Sequence, residues 1–246
     1  MRIQKWLSEL GVLSRRQAEA YIKENRIQVN GVPATIGMLV NSDDDQITID
    51  GKLQRKAEGK PSKVYLAFNK PDFTLVSRTP QNGMETIYDV SSLRKIPFRL
   101  NAVGRLDYRT EGLLLLTNDG ELIHKLSHPS SGASRVYHVL VSKKLTKEEL
   151  DLLNSQGLIL DGRPVRCEVS SFCRARLGKT VGSWYEVTVF EGRNRLIRRM
   201  FEKLERRVVR LVRISYAGVN LPQELKPGAY EALSSEEVAR LKRYMQ

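Results

Sequence analysis

Cysteine is almost missing from this chain of 246 residues, with Cys167 and Cys173 the only two. Two thiols cannot build a disulfide framework, and their spacing does not match a zinc knuckle, so both are read as reduced, packed thiols. Long apolar runs are also missing. No stretch approaches the roughly 18 residues of a membrane span. The opening Met1-Arg2-Ile3-Gln4-Lys5-Trp6 lacks a signal peptide's apolar stretch and cleavage site. A cytoplasmic protein without a membrane partner is expected. Neither a phosphate-cradling glycine loop nor a dinucleotide fingerprint occurs, so no cofactor is expected. His124 and His128 stand four apart, but no glutamate or third ligand accompanies them and Pro129 follows. No metal is expected there.

What is abundant is positive charge. Lys and Arg number 41 against 28 Asp and Glu, a formal net charge of +13. Such a surface suits a polyanion, because each neutralised phosphate releases condensed counterions. Residues 1–54 hold seven basic and seven acidic side chains, so the excess lies wholly in residues 55–246. Within the first part the signs segregate. Six of its bases fall between Arg2 and Arg26, while Asp43, Asp44, Asp45 and Asp50 sit near its end. A neutral segment can thus present one basic face.

Ile3, Trp6, Leu7 and Leu10 trace an amphipathic helical stripe, which Gly11 can end. Ser14 with Gln17 reads as a capping box opening a second helix. Ala18, Tyr21 and Ile22 form its inner face, and Arg15, Arg16 and Lys23 lie outward. Arg26–Val29 alternates as a strand before the Asn30-Gly31 turn, and Ile47 and Ile49 alternate before Asp50-Gly51. Residues 1–54 therefore read as a small domain. Residues 55–62 carry Gly and Pro without an apolar face and read as a linker.

Residues 63–246 read as a second domain. Val64–Phe68 and Leu113–Leu116 are apolar runs suited to buried strands, the latter followed by Asn118-Asp119-Gly120 and a short helix over 121–126. Residues 184–190 and 208–214 read as strands, and 195–204 as a helix. Strands and helices mix without a regular βαβ rhythm, which predicts an α+β fold.

The chemistry is concentrated in Gly104-Arg105-Leu106-Asp107-Tyr108-Arg109-Thr110-Glu111-Gly112, a carboxylate flanked by arginines at the entrance to a buried strand. Guanidinium neighbours could keep such an aspartate ionised and aimed at a ligand. On residue type alone, a salt-bridged aspartate that merely fixes a turn is the commoner meaning.

With Thr110, Gly112 and Leu113-Leu114-Leu115, the segment Gly104-Arg105-Leu106-Asp107 resembles the signature of RNA pseudouridine synthases of the ribosomal RNA branch. Phe68-Asn69-Lys70-Pro71, Arg135-Val136-Tyr137 and Glu191-Gly192-Arg193-Asn194-Arg195-Leu196-Ile197-Arg198-Arg199-Met200 are similar to the same branch, in the same order. Ser14–Ala18 and Arg26–Gly31 are similar to the S4 RNA-binding domain. The resemblance covers nearly the whole chain.

It implies an N-terminal S4 domain, with Arg15, Arg16 and Lys23 on RNA. It also implies a catalytic domain built on a mixed, largely antiparallel sheet. Asp107 would be the catalytic carboxylate, attacking uracil C6 or ribose C1′. Tyr137 would stack on the target base, although its alternation with Val139 and Val141 also suits a plain strand. Arg198 would pair with Asp107, and Ile197 would pack against the base. Arg105, Arg193, Arg195 and Arg199 would touch substrate. Leu196 departs from the Gln or Glu common in relatives, which weakens the inference about pairing near Arg198. Asn69-Lys70-Pro71 reads as support for the fold.

Arg193, Arg195, Arg199, Lys203, Arg206, Arg207, Arg210 and Arg213 read as a phosphate track, opposed locally only by Glu202 and Glu205, with Arg198 turned inward. Arg206 and Arg207 in particular are expected to face solvent.

The expected activity is isomerisation of uridine in ribosomal RNA, with large-subunit 23S RNA favoured over small-subunit 16S RNA. A monomer with no small-molecule cofactor is expected. A non-catalytic ribosome-assembly protein of the same fold is the rival, disfavoured because a pure RNA binder gains nothing from Asp107.

Overall fold

The computed structural model describes residues 1–41, 44–55, 63–97, 99–177 and 180–245. The chain divides into two compact units, residues 1–63 and 64–246. Apart from Arg55, the expected linker lies outside the described residues.

In the first unit, α1 (Ile3–Glu9) is followed by α2 (Arg15–Lys23), and Gly11 takes a φ of +78° between them. The Ser14 hydroxyl accepts from the Gln17 backbone and the Gln17 side chain accepts from the Ser14 backbone, the reciprocal cap expected from sequence. Strands β1 (Ile27–Val29), β2 (Val32–Pro33), β3 (Ile47–Ile49) and β4 (Lys52–Gln54) follow, in antiparallel order β2-β1-β3-β4. Asn30 and Gly31 have φ of 52° and 80°, as do Asp50 and Gly51 at 50° and 74°; two consecutive positive values close both hairpins with the right twist. Ile3, Trp6, Leu7, Ala18, Ile22, Ile27, Ile47 and Ile49 form this unit's core.

The second unit is built on one large sheet. Its strands begin with β5 (Tyr65–Lys70), buried at every position, the short β6 (Asn101–Ala102) and β7 (Glu111–Thr117). After β8 (Arg135–Val141), β9 (Ile159–Leu160) and β10 (Arg163–Pro164) form a separate small hairpin. Then come β11 (Cys167–Leu177), β12 (Thr180–Val189), β13 (Val208–Tyr216), β14 (Val219–Asn220) and β15 (Tyr230–Ala232). The order is β11-β12-β8-β13-β7-β5-β15, with β14 on β13 and β6 on β7. Only β13 and β7 run parallel among the described pairs, so the sheet is mixed and largely antiparallel, in an α+β fold.

Helices α3 (Ser91–Arg94), α4 (Gly120–Ser127), α5 (Lys147–Asn154), α6 (Leu196–Lys203) and α7 (Ser235–Lys242) complete the unit. Because side chains of a strand alternate in direction, the apolar run of β7 serves two cores. Leu114 and Leu116 join Phe68, Tyr137, Ile197 and Phe201, while Leu113 and Leu115 join Tyr65, Leu122 and Tyr216.

Gly112 makes the parallel contact possible. It pairs with Arg213, has a φ of +98°, and a Cβ there would lie 2.3 Å from the Arg213 carbonyl oxygen. Any side chain would push β13 away from β7, the strand into which the Asp107 loop runs.

Three local expectations need correction. Arg195 is not in α6 but precedes it in the left-handed region at φ 49°, and Phe190 falls just beyond β12. Cys167 is packed, and burial pushes its thiol up to about 11. Cys173 is exposed instead, beside a register shift between β11 and β12 that takes it out of the strand's regular alternation.

Candidate active site

Asp107 stands in the loop between β6 and β7, half-buried, with Leu106 and Thr110 buried on either side. Four consecutive carbonyl groups of this loop are occupied. The Asp107 carbonyl accepts from Thr110 N–H at 3.0 Å. Lys70 Nζ donates to the carbonyls of Tyr108 (3.3 Å) and Thr110 (2.9 Å), and to that of Pro71 (2.9 Å). The Arg109 carbonyl accepts from Arg198 Nη2. The backbone beneath the carboxylate is therefore held at each residue, which is what a preorganised nucleophile requires.

Lys70 is fully buried at the end of β5. Burial pushes its ammonium down to about 8, while the carboxylates of Asp72, Glu111 and Asp107 pull the other way. Three acceptors for three ammonium protons leave nothing unsatisfied.

A cavity beside Asp107 is lined by Thr110 from the loop, Tyr137 on β8, Ile197 and Arg198 on α6, and Leu211 and Arg213 on β13. Tyr137 and Arg213 are register partners across β8 and β13, so their side chains leave the same face of the sheet. Tyr137 is 8% exposed and Ile197 4%. A larger adjoining cavity of about 470 Å³ shares Arg105, Asp107, Arg135, Arg195 and Arg213, and adds Tyr108, Ser127 and Tyr216.

Buried polar atoms normally find partners. Among the described residues, four side-chain atoms of the second unit do not: Thr110 Oγ1, Arg198 Nε, Arg206 Nε and Arg213 Nη2. Three of these, all but Arg206 Nε, belong to residues lining the cavity at Asp107. Unpartnered polar atoms concentrated in residues that line one space are consistent with a site shaped for a polar ligand.

The sequence expectation of guanidinium groups holding Asp107 needs correction. Arg198 does not hydrogen-bond the carboxylate; it is half-buried and donates to the Arg109 carbonyl, supporting the loop from below. The Asp107 charge still reaches it. Burial and Arg195 lower the Arg198 pKa, and Asp107 opposes them. Among the described residues, neither Arg105 nor Arg109 forms an ion pair with Asp107. Arg105 is exposed at the cavity rim. Arg109 lies against Phe73, whose ring is 5.6 Å from that of Tyr108.

The supposed phosphate track is largely spoken for. Arg193 pairs with Glu191 at 2.7 Å and donates to the Leu160 and Pro164 carbonyls. Arg199 pairs with Asp161, and Lys203 donates to the Ile159 carbonyl. Arg206, expected in solvent, is mostly buried against Glu149 at 2.8 Å. Arg210 makes two 2.9 Å bonds to Glu111, and Arg213 is buried. Arg195 keeps an exposed 3.5 Å contact with Glu202, and Arg207 is exposed without an ion pair among the described residues. Arg199, Arg206 and Arg210 find their partners 38, 57 and 99 residues away, so counting charges along α6 and β13 could not reveal those pairs.

In the first unit, Arg15, Arg16 and Lys23 are exposed on α2 and make no ion pair among the described residues. Arg26 differs, being held by Asp50 at 2.8 and 2.7 Å and by Glu24. His128 bonds Ser130 through Nδ1, and no group of three ligating side chains occurs among the described residues. No helix there is long and apolar enough to cross a membrane.

Residues 64–203 match the model of the RNA pseudouridylate synthase family, and residues 1–53 match that of the S4 domain. The chain is 40% identical over 239 residues to ribosomal large subunit pseudouridine synthase B of Pseudomonas aeruginosa, covering 96% of this chain but 60% of that protein. It is 37% identical over 245 residues to the protein of the same name in Bacillus subtilis, covering 98% and 95%. A solved pseudouridylate synthase superposes with a TM-score of 0.62 at 25% identity, covering 98% of this chain and 99% of that one.

Proposed function

The chain belongs to the RNA pseudouridylate synthase family, and on that premise we propose that it isomerises uridine to pseudouridine in large-subunit (23S) ribosomal RNA. The observation that carries this reading is Asp107 on a loop clamped at four successive carbonyls, facing a cavity with three unpartnered buried polar atoms. The large-subunit target rests on relatives of that name that match over most of this chain.

In the reaction the N1–C1′ bond breaks and a C5–C1′ bond forms, while a proton leaves C5 and N1 gains one. No redox partner or water is consumed. Asp107 acts as the nucleophile, at C6 or at C1′. An extruded base loses its stacking neighbours. Tyr137 replaces them from below, with Ile197 beside the ring. Arg198 supports the nucleophile's loop through the Arg109 carbonyl.

We assign residues 1–54 to the S4 domain, with Arg15, Arg16 and Lys23 on backbone phosphates, and residues 63–246 to catalysis. Arg105 and Arg195, at the cavity rim, contact the RNA strand. Arg193 and Arg199 act indirectly by fixing the segment before and within α6. The enzyme works as a cytoplasmic monomer.

Pseudouridine mapping in ribosomal RNA tests the reading. Cells lacking the protein should lose one or more large-subunit modifications, and wild-type protein should restore them. An Asp107→Asn protein should restore none while binding the RNA within a few-fold of wild type. An unchanged map, or full restoration by the Asn variant, overturns it.

A further inference from the structure

Tyr216 closes β13 with its ring fully buried and its hydroxyl donating to the Leu126 carbonyl at 3.0 Å. Two guanidinium groups share this ring. Arg213 lies 4.8 Å from its centroid and Arg135 lies 4.9 Å from it. The strand register explains the juxtaposition, because Arg135 is the direct partner of Tyr216 on β8, and Arg213 sits three residues earlier on β13.

Neither arginine has a carboxylate partner among the described residues. Arg135 donates to the Ala133 carbonyl at 2.8 Å and reaches the Tyr216 hydroxyl at 3.5 Å. Arg213 is 1% exposed, its Nε donates to the Leu113 carbonyl at 2.7 Å, and its Nη2 has no partner. Both line the larger cavity, together with Arg105 and Arg195, and Asp107 is the sole carboxylate in that lining.

Two cations against one ring repel each other, and a buried charge without a counterion is among the costliest arrangements in a protein. Arg193, Arg199, Arg206 and Arg210 resolve that cost with Glu191, Asp161, Glu149 and Glu111. The pair at Tyr216 does not, and it opens onto the space next to Asp107. A neutral uracil edge would not compensate two positive charges. An anion would.

We propose that Arg135 and Arg213, braced on Tyr216, form a seat for a phosphodiester group of the RNA strand next to the target uridine. The inference rests on the proposed action on RNA and adds to it a binding group with its own ligand. The forked donors of two guanidinium groups match the non-bridging oxygens of one phosphate. Seating it there would fix the sugar-phosphate segment while the base enters the smaller cavity against Tyr137. Gly112 matters for this seat too, since its missing side chain lets β7 lie against the Arg213 backbone.

The test uses the full-length protein and a synthetic RNA fragment spanning the uridine that mapping identifies, so failure of the reaction itself appears in the mapping and not here. Fragments are made with a single uncharged methylphosphonate at each phosphate flanking that uridine. One such fragment should lower wild-type kcat/KM by roughly 10- to 100-fold, the loss expected for a charge-assisted contact. Arg213→Gln and Arg135→Gln should each lower kcat/KM on normal RNA, and the same methylphosphonate should then cost little more.

Arg135 is only half-buried, so Arg135→Gln serves where Arg213→Gln fails to fold, a point read from its thermal melt. Arg213→Lys, which keeps charge but loses the fork, should fall between wild type and Gln. The proposal is overturned if wild-type enzyme is indifferent to every neutralised phosphate. It is equally overturned if the Gln variants remain as sensitive to the decisive methylphosphonate as wild type.

Discussion

Lys70 Nζ lies 2.9 Å from the carbonyl oxygen of Thr110, the third residue after Asp107. This buried ammonium, at the end of β5, holds the Asp107 loop from underneath through Tyr108 and Thr110. Its position turns an apparently structural Asn-Lys-Pro segment into part of the positioning apparatus.

Because burial lowers the Lys70 pKa to about 8, turnover should decline on the alkaline side with a midpoint near that value. The neutral amine has two protons for three carbonyls, so the loop loosens. The sign for stability is the reverse. Lysine in the unfolded chain titrates near 10.4, so between about pH 8 and 10.4 the unfolded state binds more protons. Lys70's own contribution to stability therefore rises across that window, so its titration does not itself unfold the protein, and a thermal melt across the same pH range separates lost turnover from unfolding. Lys70→Met should show low kcat at every pH and no such limb. A wild-type limb persisting unchanged in the variant would contradict the assignment.

Arg198 and Arg207 should separate cleanly. Arg198→Ala removes the bond to the Arg109 carbonyl and should lower kcat at saturating RNA by roughly tenfold or more. Arg207→Ala should leave kcat alone and weaken binding, reducing the salt slope by roughly 0.7–0.9 for one phosphate. Single-turnover rates and binding across a salt series distinguish the two. Equal effects on kcat would sink the distinction.

Arg206 is a different case, since it lies with Glu149 in a mostly buried pair. Truncating one partner strands the other, so Arg206→Ala should destabilise the protein by about 3 kcal/mol. Chemical denaturation measures this directly. A change below about 1 kcal/mol, typical of exposed pairs, would place Arg206 back among surface charges.

Deleting residues 1–54 should leave a folded remainder, because the cores of the two units share no residue. The truncated enzyme should lose affinity and site choice, and its salt slope should fall by roughly 2–3 as Arg15, Arg16 and Lys23 are removed. Unchanged efficiency at the mapped uridine would exclude these three residues from recognition.

Local signals were enough to read much of this protein from its sequence. The Ser14 cap, the Asn30-Gly31 and Asp50-Gly51 turns and the apolar runs of β5 and β7 act within a few residues, where sterics and hydrogen bonding are already settled. The motif around Asp107 likewise pointed to a loop that lines a cavity in the folded unit. Charge was another matter. Arg199, Arg206, Arg210 and Arg213 look alike in the sequence, and their roles depend on carboxylates and strands brought near only by the fold. Coulombic pairing and desolvation act through space and not along the chain. That is why tertiary structure alone decided which arginines are neutralised, which supports the Asp107 loop, and which two remain unpaired on Tyr216.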